Sequence, residues 1–169
     1  VYGYYLEKSD RAKSALFEEA AGCADERRKE APRDANAHYM YAFALGRYSQ
    51  SISVAKALAQ GLGGRIKEAL LTAIKLEPKH ADANIGYGSY QAEVIDKVGA
   101  LVGGMTYGAK KDSAVEHFQK AVKLFPEAAI AHIEYANGLN LPYGKAKLAE
   151  AQALYEQDTA CKPADAMER

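Results

Sequence analysis

Apolar side chains recur every three or four residues along most of the chain, which is the spacing of one face of an α-helix. In three segments a small or branched residue is followed four positions later by a larger one on the same face. These pairs are Ile66 with Leu70, Ala114 with Phe118, and Ala151 with Tyr155. Side chains four apart are neighbours on a helix, so each pair indicates a face that packs closely against another helix.

The pattern is also repeated along the chain. Residues 69–83 are echoed by residues 114–131, and in both a helical segment, a proline and a second helical segment follow in order. A unit repeated every few tens of residues cannot bury its apolar face alone and stacks on its copies. The prolines that end helices are Pro32, Pro78, Pro126 and Pro163, and nine residues after the first three stand Tyr41, Tyr87 and Tyr135, each followed by alanine or glycine.

These residues resemble the tetratricopeptide repeat, a helix-turn-helix unit of about 34 residues. Ala114, Phe118, Ala121 and Pro126 match the family pattern at every spacing, and Tyr87 with Gly88 stands at its leucine-glycine step. The resemblance covers about residues 10–163 and implies antiparallel helix pairs stacked in a right-handed superhelix. We therefore expect an all-α fold of about 7–8 helices without a sheet, in one domain spanning 1–169. Its repeats would be approximately 1–34, 35–80, 81–128 and 129–169.

Two repeats are longer than the family's usual period. We expect one helix from 35 to about 60, ended by the glycines at 61–64, and another from 81 to 102, ended by Gly103 and Gly104. A short turn at 140–144 and a last helix from 145 to about 159 would follow. Repeats elongated in this way are similar to those of microtubule-dynamics regulator proteins and of some bacterial transporter-associated lipoproteins.

Charge and composition narrow the classes of partner. Lysine plus arginine and aspartate plus glutamate both number 22 in the 169 residues, so no net positive field favours nucleic acid. No apolar stretch reaches the roughly 20 residues of a membrane-spanning helix.

The chain begins at Val1, which we interpret as a trimmed or processed end. Cys23 and Cys161 would lie at opposite ends of a linear stack, so we expect no disulfide between them. Two free thiols favour the cytoplasm over an oxidising compartment such as the periplasm, and the sequence does not fix the localisation further.

The sequence contains no recognisable metal-binding or catalytic motif. Its histidines are His38, His80, His117 and His132, and no two have the i,i+4 spacing of a metal site. His38 and His132 occupy equivalent repeat positions, which predicts a packing role for both. The glycine-rich segment 61–64 lacks the lysine and hydroxyl residue of a phosphate loop, so we interpret it as a turn. We expect no cofactor and no enzymatic activity.

In tetratricopeptide stacks the first helix of each repeat lines a concave, partner-binding face. The family's carboxylate clamp needs lysine at the fifth repeat position, where this chain has Tyr39, Ile85 and Ile133, so that clamp is absent. The resemblance instead implies an apolar groove with a polar rim, which would bind a protein or peptide. Its predicted residues are Tyr39, Phe43, Arg47, Asp82, Ile85, Ser89, Glu93, Ile133 and Asn137. If the register is wrong by one position, these residues would belong to the core.

The elongated segments supply a second candidate surface, formed by Leu58, Val98, Leu101, Met105 and Tyr107. It would mediate self-association as a homodimer, form the floor of a pocket with Met105 and Tyr107 at its mouth, or be covered by packing between neighbouring repeats. The leading functional hypothesis is a non-enzymatic adaptor that holds a protein or peptide partner. The alternatives are a transport-associated subunit that binds a small apolar ligand and, third, an enzyme with a site assembled across repeats.

Overall fold

The computed structural model describes residues 3 and 6–160, with side chains described as far as Gln157. Within this part of the chain there are eight α-helices of six or more residues and no strand, which confirms the predicted all-α fold. The chain divides into two compact units, Val1–Pro78 (unit 1) and Lys79–Arg169 (unit 2).

Unit 1 contains α1 (Asp10–Glu30), α2 (Ala35–Gln50), α3 (Val54–Ala59) and α4 (Leu62–Leu76). Helix α2 packs between α1 and α4. The buried face of α2 carries Tyr41, Ala42 and Leu45, and α4 contributes Ile66 and Leu70 to the same core. Three polar caps start helices here: Ser9 begins α1, Asp34 begins α2 and Ser53 begins α3, each accepting a hydrogen bond from a backbone N–H inside its helix.

Unit 2 contains α5 (Ala81–Val98), α6 (Lys111–Leu124), α7 (Ala129–Tyr143) and α8 (Leu148–Ala160). A helical turn at Ala100–Val102 and a π-helical segment at Gly103–Tyr107 join α5 to α6, and a 3₁₀ turn at Gly144–Lys147 joins α7 to α8. Helix α7 packs against α5, α6 and α8.

The core of unit 2 is centred on Phe118 of α6. Its ring is fully buried and stacks on the ring of Tyr135, with the two centroids 5.5 Å apart. Gly88 of α5 and Gly138 of α7 also face this ring, because a Cβ added to either residue would lie 3.0 Å or less from a ring carbon. The aromatic ring of one helix thus occupies space that glycine leaves open on two others.

The proline turns are repeated in structure as well as in sequence. Helices α1, α4 and α6 end alike, since the backbone N–H groups of Ala31, Glu77 and Phe125 each donate to the carbonyl four residues earlier. After two of these turns a histidine closes the loop. Nε2 of His38 lies 3.0 Å from the Pro32 carbonyl oxygen, and Nε2 of His132 lies 2.9 Å from that of Pro126. Both rings are buried, as the predicted packing role requires.

The predicted single helix over 35–60 is wrong, because α2 ends at Gln50. The Ser51 hydroxyl donates to the Tyr48 carbonyl at 2.7 Å, and the Ser53 hydroxyl accepts from the Lys56 N–H at 3.2 Å to start α3. Serine side chains compete in this way with the hydrogen bonds of a continuous helix. The expected break at Gly61 does occur, since its φ of 62° lies in the left-handed region.

In unit 2 the predicted helix over 81–102 ends four residues early, at Val98. Gly99 has a φ of 82°, which ends α5, whereas Gly103 and Gly104 lie inside the π-helical segment. The expected turn at 140–144 is also shorter, because α7 continues through Pro142 to Tyr143. Cys23 is an exposed free thiol, while Cys161 and Pro163 lie outside the described residues.

Candidate functional site

In unit 1, three predicted partner-binding residues form a ridge along one face of α2, at positions four apart. We call Tyr39, Phe43 and Arg47 the α2 ridge. The Tyr39 and Phe43 ring centroids are 6.0 Å apart, and the Arg47 guanidinium carbon lies 5.2 Å from the Phe43 centroid. Arg47 also donates to the side chain of Gln50 at 3.1 Å. The Phe43 side chain nevertheless remains 45 % exposed, so the ridge presents an aromatic surface with an adjacent positive charge.

In unit 2 the predicted groove residues differ in accessibility. Ile85 is buried within the core around Phe118, so the prediction of an exposed Ile85 is wrong. The reason is that α5 packs on both α6 and α7, which leaves this position no solvent-facing side. Asp82 is exposed in the first turn of α5, Asn137 is exposed on α7, and Ser89, Glu93 and Ile133 are half-buried.

Two of these polar residues connect helices of unit 2. The Ser89 hydroxyl donates to Oε2 of Glu134 at 3.2 Å and thereby links α5 to α7. The Tyr155 hydroxyl donates to Oδ1 of Asn137 at 2.7 Å and links α8 to α7. These side chains stabilise the packing of unit 2 on the face where partner contacts were predicted.

The residues predicted for self-association lie in both units. In unit 2, Leu101 and Met105 are 75 % and 82 % exposed in the connection after Gly99, and Val102 is exposed beside them. Val98 is half-buried and points towards Gly103, and Tyr107 is also half-buried. Leu58 is an exposed residue of α3 in unit 1.

A basic cleft in unit 1 was not predicted from the sequence. The Arg28 guanidinium carbon lies 4.2 Å from the centroid of the Tyr41 ring. Arg65 donates to the Tyr41 hydroxyl from Nε at 3.0 Å and from Nη2 at 2.7 Å. The cleft has a volume of about 90 Å³ and is lined by Arg28, His38, Tyr41, Arg65, Glu68, Ala69 and Thr72. We call it the Arg–Tyr cleft.

Acidic and basic residues alternate in the sequence around Arg28, which is typical of a solvated, charge-paired helix face. Asp25 does pair with both neighbours, at 2.5 Å to Nη2 of Arg28 and 2.5 Å to Nζ of Lys29. Hydrogen bonds from Lys29 and then from Arg28 lower the pKa of Asp25, with their positive charges acting in the same direction. Arg28 is half-buried, however, because its guanidinium also stacks on Tyr41.

Unit 2 contains two polar clusters. The Tyr135 hydroxyl donates to Oε1 of Glu150 at 3.0 Å, and Lys147 pairs with the other oxygen of that carboxylate at 2.5 Å. Burial raises the pKa of Tyr135 to about 12, and the hydrogen bond from Lys147 is the main cause that lowers the pKa of Glu150. In the second cluster, Nδ1 of His117 lies 3.0 Å from Oδ1 of the buried Asn84, and burial lowers the pKa of His117.

Neither cluster has the arrangement of a metal centre, and no group of three or more histidine, cysteine, aspartate or glutamate side chains could hold a metal ion in the described part of the chain. Over the same residues, no helix combines the length and apolar character needed to span a membrane.

A family model described as Regulator of microtubule dynamics protein 1-3 matches residues 2–137, which is most of the chain. The matched region includes the α2 ridge, the Arg–Tyr cleft and most of α7. No curated protein matches the sequence.

Proposed function

Since the chain belongs to the Regulator of microtubule dynamics protein 1-3 family, we propose that it is a non-enzymatic helical-repeat protein that binds a protein or peptide partner. The observation that carries this proposal is the α2 ridge, where Phe43 remains 45 % exposed between a tyrosine and an arginine. Tyrosine, phenylalanine and arginine are enriched at protein interfaces. Complete burial of a phenylalanine side chain is worth about 1.5–3 kcal/mol, so a partner that covered the exposed half would gain roughly 1 kcal/mol there.

In unit 2 we propose a more polar contribution to partner binding. The exposed Asp82 and Asn137 would form hydrogen bonds with the partner, with the half-buried Ser89, Glu93 and Ile133 beside them. Polar, solvent-accessible side chains of this kind are typical of an interface rim.

The family description names microtubule dynamics, so polymerised tubulin is the first partner to test. In co-sedimentation, we expect wild-type protein to pellet with microtubules and Phe43→Asp to pellet at least tenfold less. The matched control is Leu71→Asp, which introduces the same charge at an exposed leucine of α4. Circular dichroism of all three proteins would show that the helices remain intact.

Equal binding by wild type and Phe43→Asp would refute the α2 ridge as the anchor. If the wild type does not pellet, polymerised tubulin is not the partner. The same variants would then be compared by crosslinking in extract, where partner binding predicts a crosslinked species that Phe43→Asp loses and Leu71→Asp retains.

We also propose that the exposed apolar residues after α5 support a homodimer. Leu101 and Met105 are the most exposed of the large apolar side chains described in unit 2, and such a surface is costly in water unless a partner covers it. Sedimentation equilibrium should give a dimer for the wild type and a monomer for Met105→Glu, with Leu71→Glu as the control. A monomeric wild type would refute the dimer.

The small-ligand alternative gains less support from the described clefts. Besides the Arg–Tyr cleft, a cleft of about 390 Å³ is lined by Asp10, Arg11, Ser14, Ala15, Glu18 and Ser51. Pockets for apolar ligands are lined mainly by hydrophobic side chains, and only one of these six residues is apolar. Native mass spectrometry of the purified protein would detect a retained apolar ligand and would revive this alternative.

A further inference from the structure

The tyrosine that follows a proline turn contacts a different type of residue in unit 1 and in unit 2. Thirteen residues before Pro78, Pro126 and Pro163, at equivalent positions, stand Arg65, Ser113 and Glu150. In unit 2, the Tyr135 hydroxyl donates a hydrogen bond to the carboxylate of Glu150. In unit 1, the equivalent Tyr41 accepts two hydrogen bonds from the guanidinium of Arg65. The tyrosine at this repeat position therefore contacts a basic side chain in unit 1 and an acidic side chain in unit 2.

Arg28 is a second departure from the repeat pattern. It stands four residues before Pro32, where the next two repeats have Ile74 and Val122. An aliphatic side chain at this position extends the apolar face of its helix, whereas Arg28 places a guanidinium over the Tyr41 ring. Both cations of the Arg–Tyr cleft thus lie at positions that are uncharged or acidic in the other repeats.

The side chains of this cleft have more hydrogen-bond donors than their described contacts use. Arg65 uses Nε and Nη2 on Tyr41, and Arg28 uses Nε and Nη2 on Asp25. Each guanidinium has five N–H donors, so Nη1 of both arginines remains available. The oxygen of Tyr41 accepts from Arg65, which leaves its own proton to donate, and no hydrogen bond among the described residues uses that proton.

We propose that the Arg–Tyr cleft binds a small oxyanion of the phosphate type. The dianion of inorganic phosphate has three unprotonated oxygens that accept hydrogen bonds beside one hydroxyl group, and guanidinium groups bind such oxyanions through charge-assisted hydrogen bonds. The cleft volume of about 90 Å³ leaves room for one tetrahedral oxyanion. This assignment does not depend on the proposed partner-binding function.

Glu68 lines the same cleft and weakens anion binding through its negative charge. Its carboxylate forms no ion pair with either arginine in the described structure. Removing this charge should therefore strengthen anion binding without breaking a contact that stabilises the fold. Loss of an arginine should weaken anion binding, so the two kinds of variant are expected to have opposite effects.

Titration with inorganic phosphate, followed by calorimetry or by amide chemical shifts, tests the assignment. We expect Arg65→Gln to weaken phosphate binding at least tenfold and Glu68→Gln to strengthen it severalfold. Arg33→Gln removes the same charge from the exposed turn before α2 and should bind as the wild type does. If Arg65→Gln fails to fold, Arg65→Lys keeps the charge but loses the planar fork, and should still weaken binding.

Three results of these titrations would contradict the proposal. Absence of phosphate binding by the wild type, or equal weakening by Arg65→Gln and Arg33→Gln, would overturn the site. Acetate serves as the comparison anion, and we expect it to bind more weakly because it offers two oxygens to the three donor groups. Equal or tighter binding of acetate would overturn the assignment to phosphate.

Discussion

Replacement of Gly138 by alanine tests whether Phe118 fixes the packing of unit 2. A Cβ at this position would lie 2.2 Å from Cε2 and 2.3 Å from Cζ of the Phe118 ring. Ordinary van der Waals contact begins at 3.4 Å, so the ring or α7 would have to move by about 1.2 Å. The ring cannot retreat freely, because Gly88 of α5 approaches it as well and the side chain is fully buried.

The size of the effect follows from two opposing contributions. Overpacking a close-packed core costs about 1–3 kcal/mol or more, and this overlap is severe, so we take the upper end. Alanine regains about 1 kcal/mol of helix propensity relative to glycine. We therefore expect Gly138→Ala to lower the free energy of unfolding by about 2 kcal/mol. Gly46→Ala in α2 is the control, since nothing lies within 4 Å of its Cβ, and it should raise that free energy by about 0.5–1 kcal/mol.

Urea unfolding followed by circular dichroism measures both variants, and hydrogen exchange should localise the loss for Gly138→Ala to α5, α6 and α7. Adding Phe118→Leu to Gly138→Ala should cost less than the sum of the two single changes, because the smaller side chain relieves the overlap. If Gly138→Ala is as stable as Gly46→Ala, or if the double variant is strictly additive, then Phe118 does not have the role inferred here.

Two further predictions concern buried polar groups of unit 2. Tyr90→Phe should leave the free energy of unfolding unchanged or higher, since the Tyr90 hydroxyl is buried without a hydrogen-bond partner in the described structure. Tyr135→Phe should lower that free energy by about 1 kcal/mol, because it breaks hydrogen bonds to Glu150 and Gln119. Urea unfolding of both variants compares the two effects. His117 has a pKa lowered by burial, so the unfolded chain binds its proton more readily, and the stability it contributes should fall as the pH drops below about 6.5. His117→Gln should flatten this part of the stability profile measured between about pH 7.5 and 5.5, and an unchanged slope would contradict the reasoning.

The fold class was predictable because it depends on local periodicity. The small-large pair Ala114 and Phe118 is fully buried, as is Ala136 beside the buried Tyr135, so the spacing of these residues indicated the packed faces correctly. A helix face that must be buried repeats every three or four residues whatever its neighbours are. The alignment of the proline turns was predictable for a similar reason, since proline limits the backbone of the residue before it.

Helix ends in the elongated segments were harder to predict because several residues compete to form them. Two serines end α2 and start α3 in a stretch without proline, and the sequence alone did not distinguish them from serines on a helix surface. In the next segment the single Gly99 takes a positive φ, while the adjacent Gly103 and Gly104 do not. Paired glycines are the stronger turn signal in a sequence, but the packing of Gly103 against Val94 places the break elsewhere.

The candidate sites depend on contacts that sequence spacing does not contain. Ile85 has the register of a groove residue, yet its burial is decided by how closely α6 and α7 approach α5. The Arg–Tyr cleft was missed because Arg65 meets Tyr41 across a sequence separation of 24 residues. An exposed arginine on a helix gives no sign in the sequence of which distant ring or hydroxyl it will contact.

The repeated tyrosine contact shows how the two units differ in chemistry on a shared framework. In unit 2 the contact is complete within the protein, because Glu150 accepts from Tyr135 and is neutralised by Lys147. In unit 1 the cation of Arg65 binds Tyr41, and no carboxylate among the described residues pairs with it. Equivalent backbone positions thus lead to a closed cluster in one unit and to unused donors and a positive charge in the other. The tyrosine that recurs in the repeats therefore has a packing role. The position that holds Arg65 in unit 1 and Glu150 in unit 2 differs in charge, and this difference is the basis of the oxyanion site proposed for unit 1.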